Sequence, residues 1–215
     1  MTAALAAVVL ALLVGGIGLL ARRFAWEAEA ARKASHAAVG TACLALPWMF
    51  ADAAPVLALG AAACAGLIAL RTVPWLRARF GHALHGVARA SYGEFAFVGG
   101  VALAFALGHD DKPAYAAAIL TLAFGDALAA LVGRRFGRHP YAVGRARKSL
   151  EGSAAFLAVA LVTCAVFPRA ESVAAVAAFA LATTLAEAFA GDGFDNAAIP
   201  VAGLLALRLF GGTFA

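Results

Sequence analysis

The chain has 215 residues, of which 64% are apolar and only 13% charged, and its mean hydropathy is +0.89. A soluble domain carries about 25% charged residues to cover its water-facing shell. The composition therefore excludes a soluble enzyme, a disordered chain and a DNA-binding domain, and predicts one membrane domain over residues 1–215. The formal charge is +5, but in a membrane protein the placement of charge matters more than its sum.

A helix crossing a bilayer core needs about 20 mostly apolar residues. Eight such segments are predicted, near 2–21, 36–51, 53–70, 93–109, 113–132, 153–168, 172–190 and 197–211. The tight segment from Pro47 to Pro55 joins the second and third, and seven to nine is the range the pattern allows. The fold class is all-α, a polytopic transmembrane helical bundle. The first segment has its basic residues, Arg22 and Arg23, after it rather than before it. That order reads as a retained span and not as a cleaved signal peptide. Cys43, Cys64 and Cys164 lie in apolar runs without a C-x-x-C pair, so they read as small buried hydrophobes.

Basic residues fall in alternate connections. Arg22, Arg23, Arg32 and Lys33 precede the second segment, and Arg71, Arg77, Arg79 and Arg89 follow the third. Arg134, Arg135, Arg138, Arg145, Arg147 and Lys148 follow the fifth. Fourteen of the seventeen Lys and Arg residues are thereby placed on one side, which the positive-inside pattern makes the cytoplasm.

Acidic residues in or beside apolar segments are costly and are functional candidates. Asp126 lies inside the fifth segment, Glu187 near the end of the seventh and Glu94 at the start of the fourth. Asp192 and Asp195 follow the seventh, and Glu151 opens the sixth. These six carboxylates gather at the same face as the basic connections. Carboxylates that hold Mg²⁺ against phosphate oxygens, beside cations that neutralise the rest, suit phosphate chemistry. Neither a P-loop nor an H-E-x-x-H motif is present. A transporter with buried acids is the alternative from another class, but it calls for acids near the midplane and often an inverted repeat; here the acids are at one face and no repeat is seen.

Residues 125–153, GDALAALVGRRFGRHPYAVGRARKSLEGS, carry a more specific signal. Gly125-Asp126, Gly133 with Gly137, and Lys148-Ser149-Leu150-Glu151-Gly152 stand in order. Arg32-Lys33-x-x-His36 precedes them, and Glu187, Asp195-Asn196 and Pro200 follow. This pattern resembles the membrane lipid-alcohol kinases: dolichol kinase, phytol kinase and the CTP-dependent diacylglycerol kinase. Phosphatidate cytidylyltransferases are similar in the central element. They differ in the residues before Lys148, here Ala146-Arg147, and in the late segment, here Gly191-Asp192-Gly193-Phe194-Asp195-Asn196.

The resemblance implies a kinase acting on a membrane isoprenoid alcohol such as phytol, geranylgeraniol or a polyprenol, with CTP or another nucleoside triphosphate as donor and Mg²⁺ as cofactor. Phosphatidate cytidylyltransferase or diacylglycerol kinase is the alternative. Asp126, Lys148 and Glu187 are the expected catalytic residues, with Asp126 or Glu187 accepting the alcohol proton. Asp126, Asp195 and Asp192 are the expected metal ligands. Lys33, His36, Arg147, Ser149, Glu151, Gly152 and Asn196 are the expected substrate and nucleotide contacts. Within that set, Ser149 and the Gly152 backbone would meet phosphate oxygens, and Glu151 would partner Lys148 or ligate the metal. The expected setting is the bacterial inner membrane with the site facing the cytoplasm. Expected partners are the lipid alcohol, the nucleotide and the bilayer, with no nucleic acid and with a homodimer left open.

Overall fold

The structure, a computed structural model, describes residues 2–76, 92–166 and 172–211. Each of the eight predicted segments holds a helix. The bundle runs α1 (Thr2–Arg23), α2 (Ala28–Cys43), α3 (Leu46–Met49), α4 (Ala53–Thr72) and α5 (Gly93–Gly108), followed by α6 (Lys112–Phe136). A hairpin then leads into α7 (Leu150–Val166), α8 (Val173–Phe189) and α9 (Asp195–Phe210). Three of these, α1, α4 and α6, are long and apolar enough to cross a membrane; α5, α7 and α8 are shorter apolar helices. Arg77, Arg79 and Arg89, placed by the charge pattern, lie outside the described residues.

The long helices differ sharply in burial. Only 11% of the apolar window of α1 and 6% of that of α4 is covered by protein, against 56% for α6. Leu5, Leu12 and Leu19 on α1 and Leu57 and Ile68 on α4 face outward. For helices this apolar, such faces suit lipid rather than water. Helix α6 is the axis, packed by α2, α5, α7 and α9, while α8 packs between α7 and α9. Fully buried Phe105, Tyr115, Ile119, Leu122, Phe156, Phe179, Ile199 and Leu204 fill the space between them.

Two prolines shape the elements near the site. Pro47 lacks an amide hydrogen and its ring crowds the carbonyl four residues back, that of Cys43. Helix α2 accordingly ends at Cys43, and that carbonyl accepts the buried Tyr115 hydroxyl at 3.0 Å. Pro200 does the same to Asn196 within α9. Gly100 of α5 packs directly on the Asn196 carbonyl, where a Cβ would collide with it.

Two features go beyond the sequence pattern. Helix α2 begins at Ala28, eight residues before the predicted segment, because its first turns carry Glu29, Arg32 and Lys33 and so break the apolar run. The basic connection also contains a two-stranded antiparallel hairpin, β1 (Pro140–Val143) with β2 (Ala146–Ser149). Its turn is Gly144-Arg145, with Gly144 at φ +57°, a left-handed conformation that glycine adopts without steric cost.

Candidate active site

Helix α6 does not run regularly to Asp126. Residues Thr121–Gly125 form a π turn, and Asp126 opens the α-helical stretch after it. Such bulges re-aim the side chains that follow and occur often at functional sites. The turn is fixed from α7: Thr121 and Thr163 share a hydroxyl hydrogen bond at 2.6 Å, and a Cβ on Gly125 would stand 2.9 Å from the Phe156 ring. Asp126 is buried and its Oδ2 pairs with the Lys33 ammonium from α2. Glu29 lies on the same face, 4.0 Å from Lys33, and binds Arg32 at 2.6 Å.

A second lysine centre stands beside the first. Strand alternation sends Tyr141 and Lys148, which are directly opposed, to the same side of the hairpin. Lys148 Nζ donates to Glu187 Oε1 at 3.0 Å, to Asp195 Oδ2 at 3.3 Å and to the Glu187 carbonyl. Glu187 Oε2 accepts from Ser153 at 3.0 Å, and Ser153 is hydrogen-bonded to the Tyr141 hydroxyl at 2.7 Å. Burial would lower the Lys148 pKa. The charges of Asp195 and Glu187, with their hydrogen bonds, outweigh it and hold the ammonium above the ordinary lysine value.

The two centres share one end of the bundle: α9, which opens with Asp195, packs against the π turn that precedes Asp126. Lys33, Asp126, Lys148, Glu187 and Asp195 therefore form one constellation, drawn from α2, α6, the hairpin, α8 and α9. His36 and Asn196 flank it. The His36 ring stacks on Phe97 of α5 with centroids 4.3 Å apart. Asn196 donates through Nδ2 to the Gly93 and Gly193 carbonyls at 3.1 and 3.2 Å. His36 Nδ1 and Asn196 Oδ1 are buried and have no hydrogen-bond partner among the described residues.

The other expected residues are placed elsewhere. Arg147 alternates to the exposed face of β2. Glu151 binds exposed His139 at 2.7 Å rather than Lys148. Asp192 is exposed at φ +56°, beside the hairpin turn, where a Cβ on Gly144 would lie 3.3 Å from its carboxylate. Ser149 is buried and its Oγ accepts the Gly152 amide at 3.1 Å, capping the start of α7. The basic turn's glycines close over that serine: a Cβ on Gly133 would be 3.0 Å and one on Gly137 2.9 Å from Ser149 Oγ. Among the described residues no three His, Cys, Asp or Glu side chains are grouped to hold a metal.

Tyr141 and Ser153 belong to the constellation but were not expected from sequence. Tyr141 stands seven residues before Lys148, and only the hairpin register reveals that they share a face. Ser153 follows Gly152 directly, yet its partner Glu187 lies 34 positions away.

No protein-family model matches the chain, and no solved structure matches it. It is 35% identical over 213 residues to the phytol kinase of Synechocystis sp. (strain ATCC 27184 / PCC 6803 / Kazusa), a match that covers 94% of this chain and 88% of that protein. The chain belongs to the phytol kinase family, kinases of lipid alcohols.

Proposed function

We propose that the chain transfers the terminal phosphoryl group of CTP, or of another nucleoside triphosphate, to the hydroxyl of a membrane isoprenoid alcohol such as phytol, geranylgeraniol or a polyprenol. The alcohol oxygen forms the new bond to phosphorus. The bond to the bridging oxygen breaks, a nucleoside diphosphate leaves, and the alcohol proton passes to Asp126 or Glu187. In such transfers catalysis is mostly positioning and charge neutralisation.

The observation that carries this reading is the meeting of two lysine–carboxylate centres at one end of the bundle. Lys148 supplies a fixed positive charge for the phosphoryl group. Its contact to Asp195, at 3.3 Å, is longer than that to the Glu187 carboxylate and is the one most readily exchanged for a phosphate oxygen. Asp126 and Asp195 fit Mg²⁺, which usually takes one or two carboxylates and completes its shell with water and phosphate. Both are carboxylates at the same end of the bundle, where a cation would offset their like charges. When bound, Mg²⁺ would supply positive charge that neutralises the phosphate groups. A buried polar atom without a partner costs about 1–3 kcal/mol, so the orphaned atoms of His36 and Asn196 suit contacts to substrate or nucleotide.

The setting follows from charge. Arg22 and Arg23 end α1, and Arg134 near the end of α6 pairs with Glu27 in the connection after α1. Basic residues thus collect at the end of the bundle that holds the constellation, which supports a cytoplasmic site in a bacterial inner membrane. A lipid alcohol then approaches from the bilayer and the nucleotide from water. The test is a product screen of purified protein over lipid alcohols, with each triphosphate labelled at the terminal phosphate. Label in a lipid monophosphate with matched nucleoside diphosphate supports the reading, and pyrophosphate as the product contradicts it.

A further inference from the structure

We propose that Tyr141 and Ser153 are positioning residues for phosphoryl transfer: they fix the Glu187 carboxylate, and Glu187 in turn holds the Lys148 ammonium in place. The proposal rests on the role given to Lys148 above. A lysine ammonium rides on a flexible four-carbon stem, and the terminal torsion of a glutamate is broad. A bare Lys–Glu pair therefore leaves both ends free to drift.

The structure removes that freedom from two sides. Lys148 reaches Glu187 Oε1 directly at 3.0 Å. Tyr141, its cross-strand neighbour, reaches the other oxygen through Ser153, at 2.7 Å and then 3.0 Å. Hydrogen accounting sets the direction of this chain. An ionised carboxylate only accepts, so the single Ser153 proton goes to Glu187. Ser153 Oγ must then accept from Tyr141. One hairpin face thus grips one carboxylate with two prongs, and the carboxylate plane is set. The three hydrogens of Lys148 meet three acceptors, Glu187 Oε1, the Glu187 carbonyl and Asp195 Oδ2, so the ammonium is pre-oriented before substrate arrives.

Tyr141→Phe removes one hydroxyl and Ser153→Ala one side-chain oxygen, with little change of volume. The experiment measures kcat and KM of the full chain in detergent, using CTP and phytol as probes, for Tyr141→Phe, Ser153→Ala, the pair combined, Ser153→Thr and Lys148→Ala. Each single variant is expected to lower kcat about tenfold with the KM for phytol unchanged. The combined variant falls no further than Ser153→Ala alone, because both act through one chain. Ser153→Thr keeps the hydroxyl and restores kcat. Wild-type kcat in Tyr141→Phe and Ser153→Ala, with Lys148→Ala inactive, overturns this proposal and leaves the reading of Lys148 standing. So do fully additive losses, or a Ser153→Thr variant as slow as Ser153→Ala. Wild-type turnover in Lys148→Ala overturns the reading of Lys148 itself.

Discussion

The two lysines of the constellation are held in different ways. Lys33 and Asp126 meet between two helices, α2 and α6, a half-buried lysine on a buried carboxylate whose geometry is set by backbone: a helix on one side and a π turn on the other. Lys148 sits on a hairpin and is held by side chains, with Glu187, Asp195, Ser153 and Tyr141 in one hydrogen-bonded network. The first centre is part of the packing of the bundle. The second is a charge placed by a small appended element, its side chain no more exposed than that of Lys33. Loss of either should cost stability as well as rate, with the larger loss of rate expected from the second.

The largest effect is expected from Lys148→Ala, a fall in kcat of at least about 100-fold, in line with the removal of one preorganised electrostatic group. It also leaves the buried Glu187 and the part-buried Asp195 without their cation, so the thermal unfolding midpoint in detergent should fall as well. Asp126→Asn is expected next. It removes the carboxylate charge paired with the part-buried Lys33, which keeps only Glu29 at 4.0 Å, so both stability and Mg²⁺-dependent turnover should fall. Replacing both residues together, as Lys33→Met with Asp126→Leu, should recover part of that stability and none of the activity. Recovery measured by thermal unfolding sharpens the contrast between the centres; equal loss in single and double variants breaks it.

A smaller effect concerns pH. The Lys148 pKa is raised in the folded chain by Asp195 and Glu187, against the opposing effect of burial. Its ammonium therefore persists through the ordinary lysine pKa of about 10.4, and the stability this charge contributes is lost only as pH rises through the higher folded value. A pH–rate profile should show no loss attributable to Lys148 between about pH 7 and 10. Smallest of all, Glu151→Gln breaks an exposed pair with His139. Exposed pairs contribute little to stability, and turnover in that variant should change less than about threefold.

Much of this was legible in the sequence because charge is scarce in it. In a chain so apolar, Asp126, Lys148, Glu187 and Asp195 stood out, and the helices followed the apolar runs to within a few residues. Helix α2 was misjudged at its start because Glu29, Arg32 and Lys33 make its first turns polar; hydropathy reads apolar length, and this helix turns those residues toward Asp126 instead of lipid. The hairpin was missed because four-residue strands inside a basic connection leave no periodic signal of useful length. Once its register is known, alternation explains why Lys148 enters the site and Arg147 does not. Ser149 and Gly152 show the reverse case: residues of a recognisable motif that also serve local structure, one capping the helix that begins at the other's side.

The most direct test of the whole account follows the phosphoryl group. Purified chain and its Lys148→Ala variant are supplied with Mg²⁺, phytol and CTP labelled at the terminal phosphate, and the lipid and nucleotide products are separated. The account predicts label in a lipid monophosphate, an equal amount of CDP, and loss of both in the variant. Pyrophosphate with no lipid label in the wild type, or a variant as active as the wild type, would contradict it.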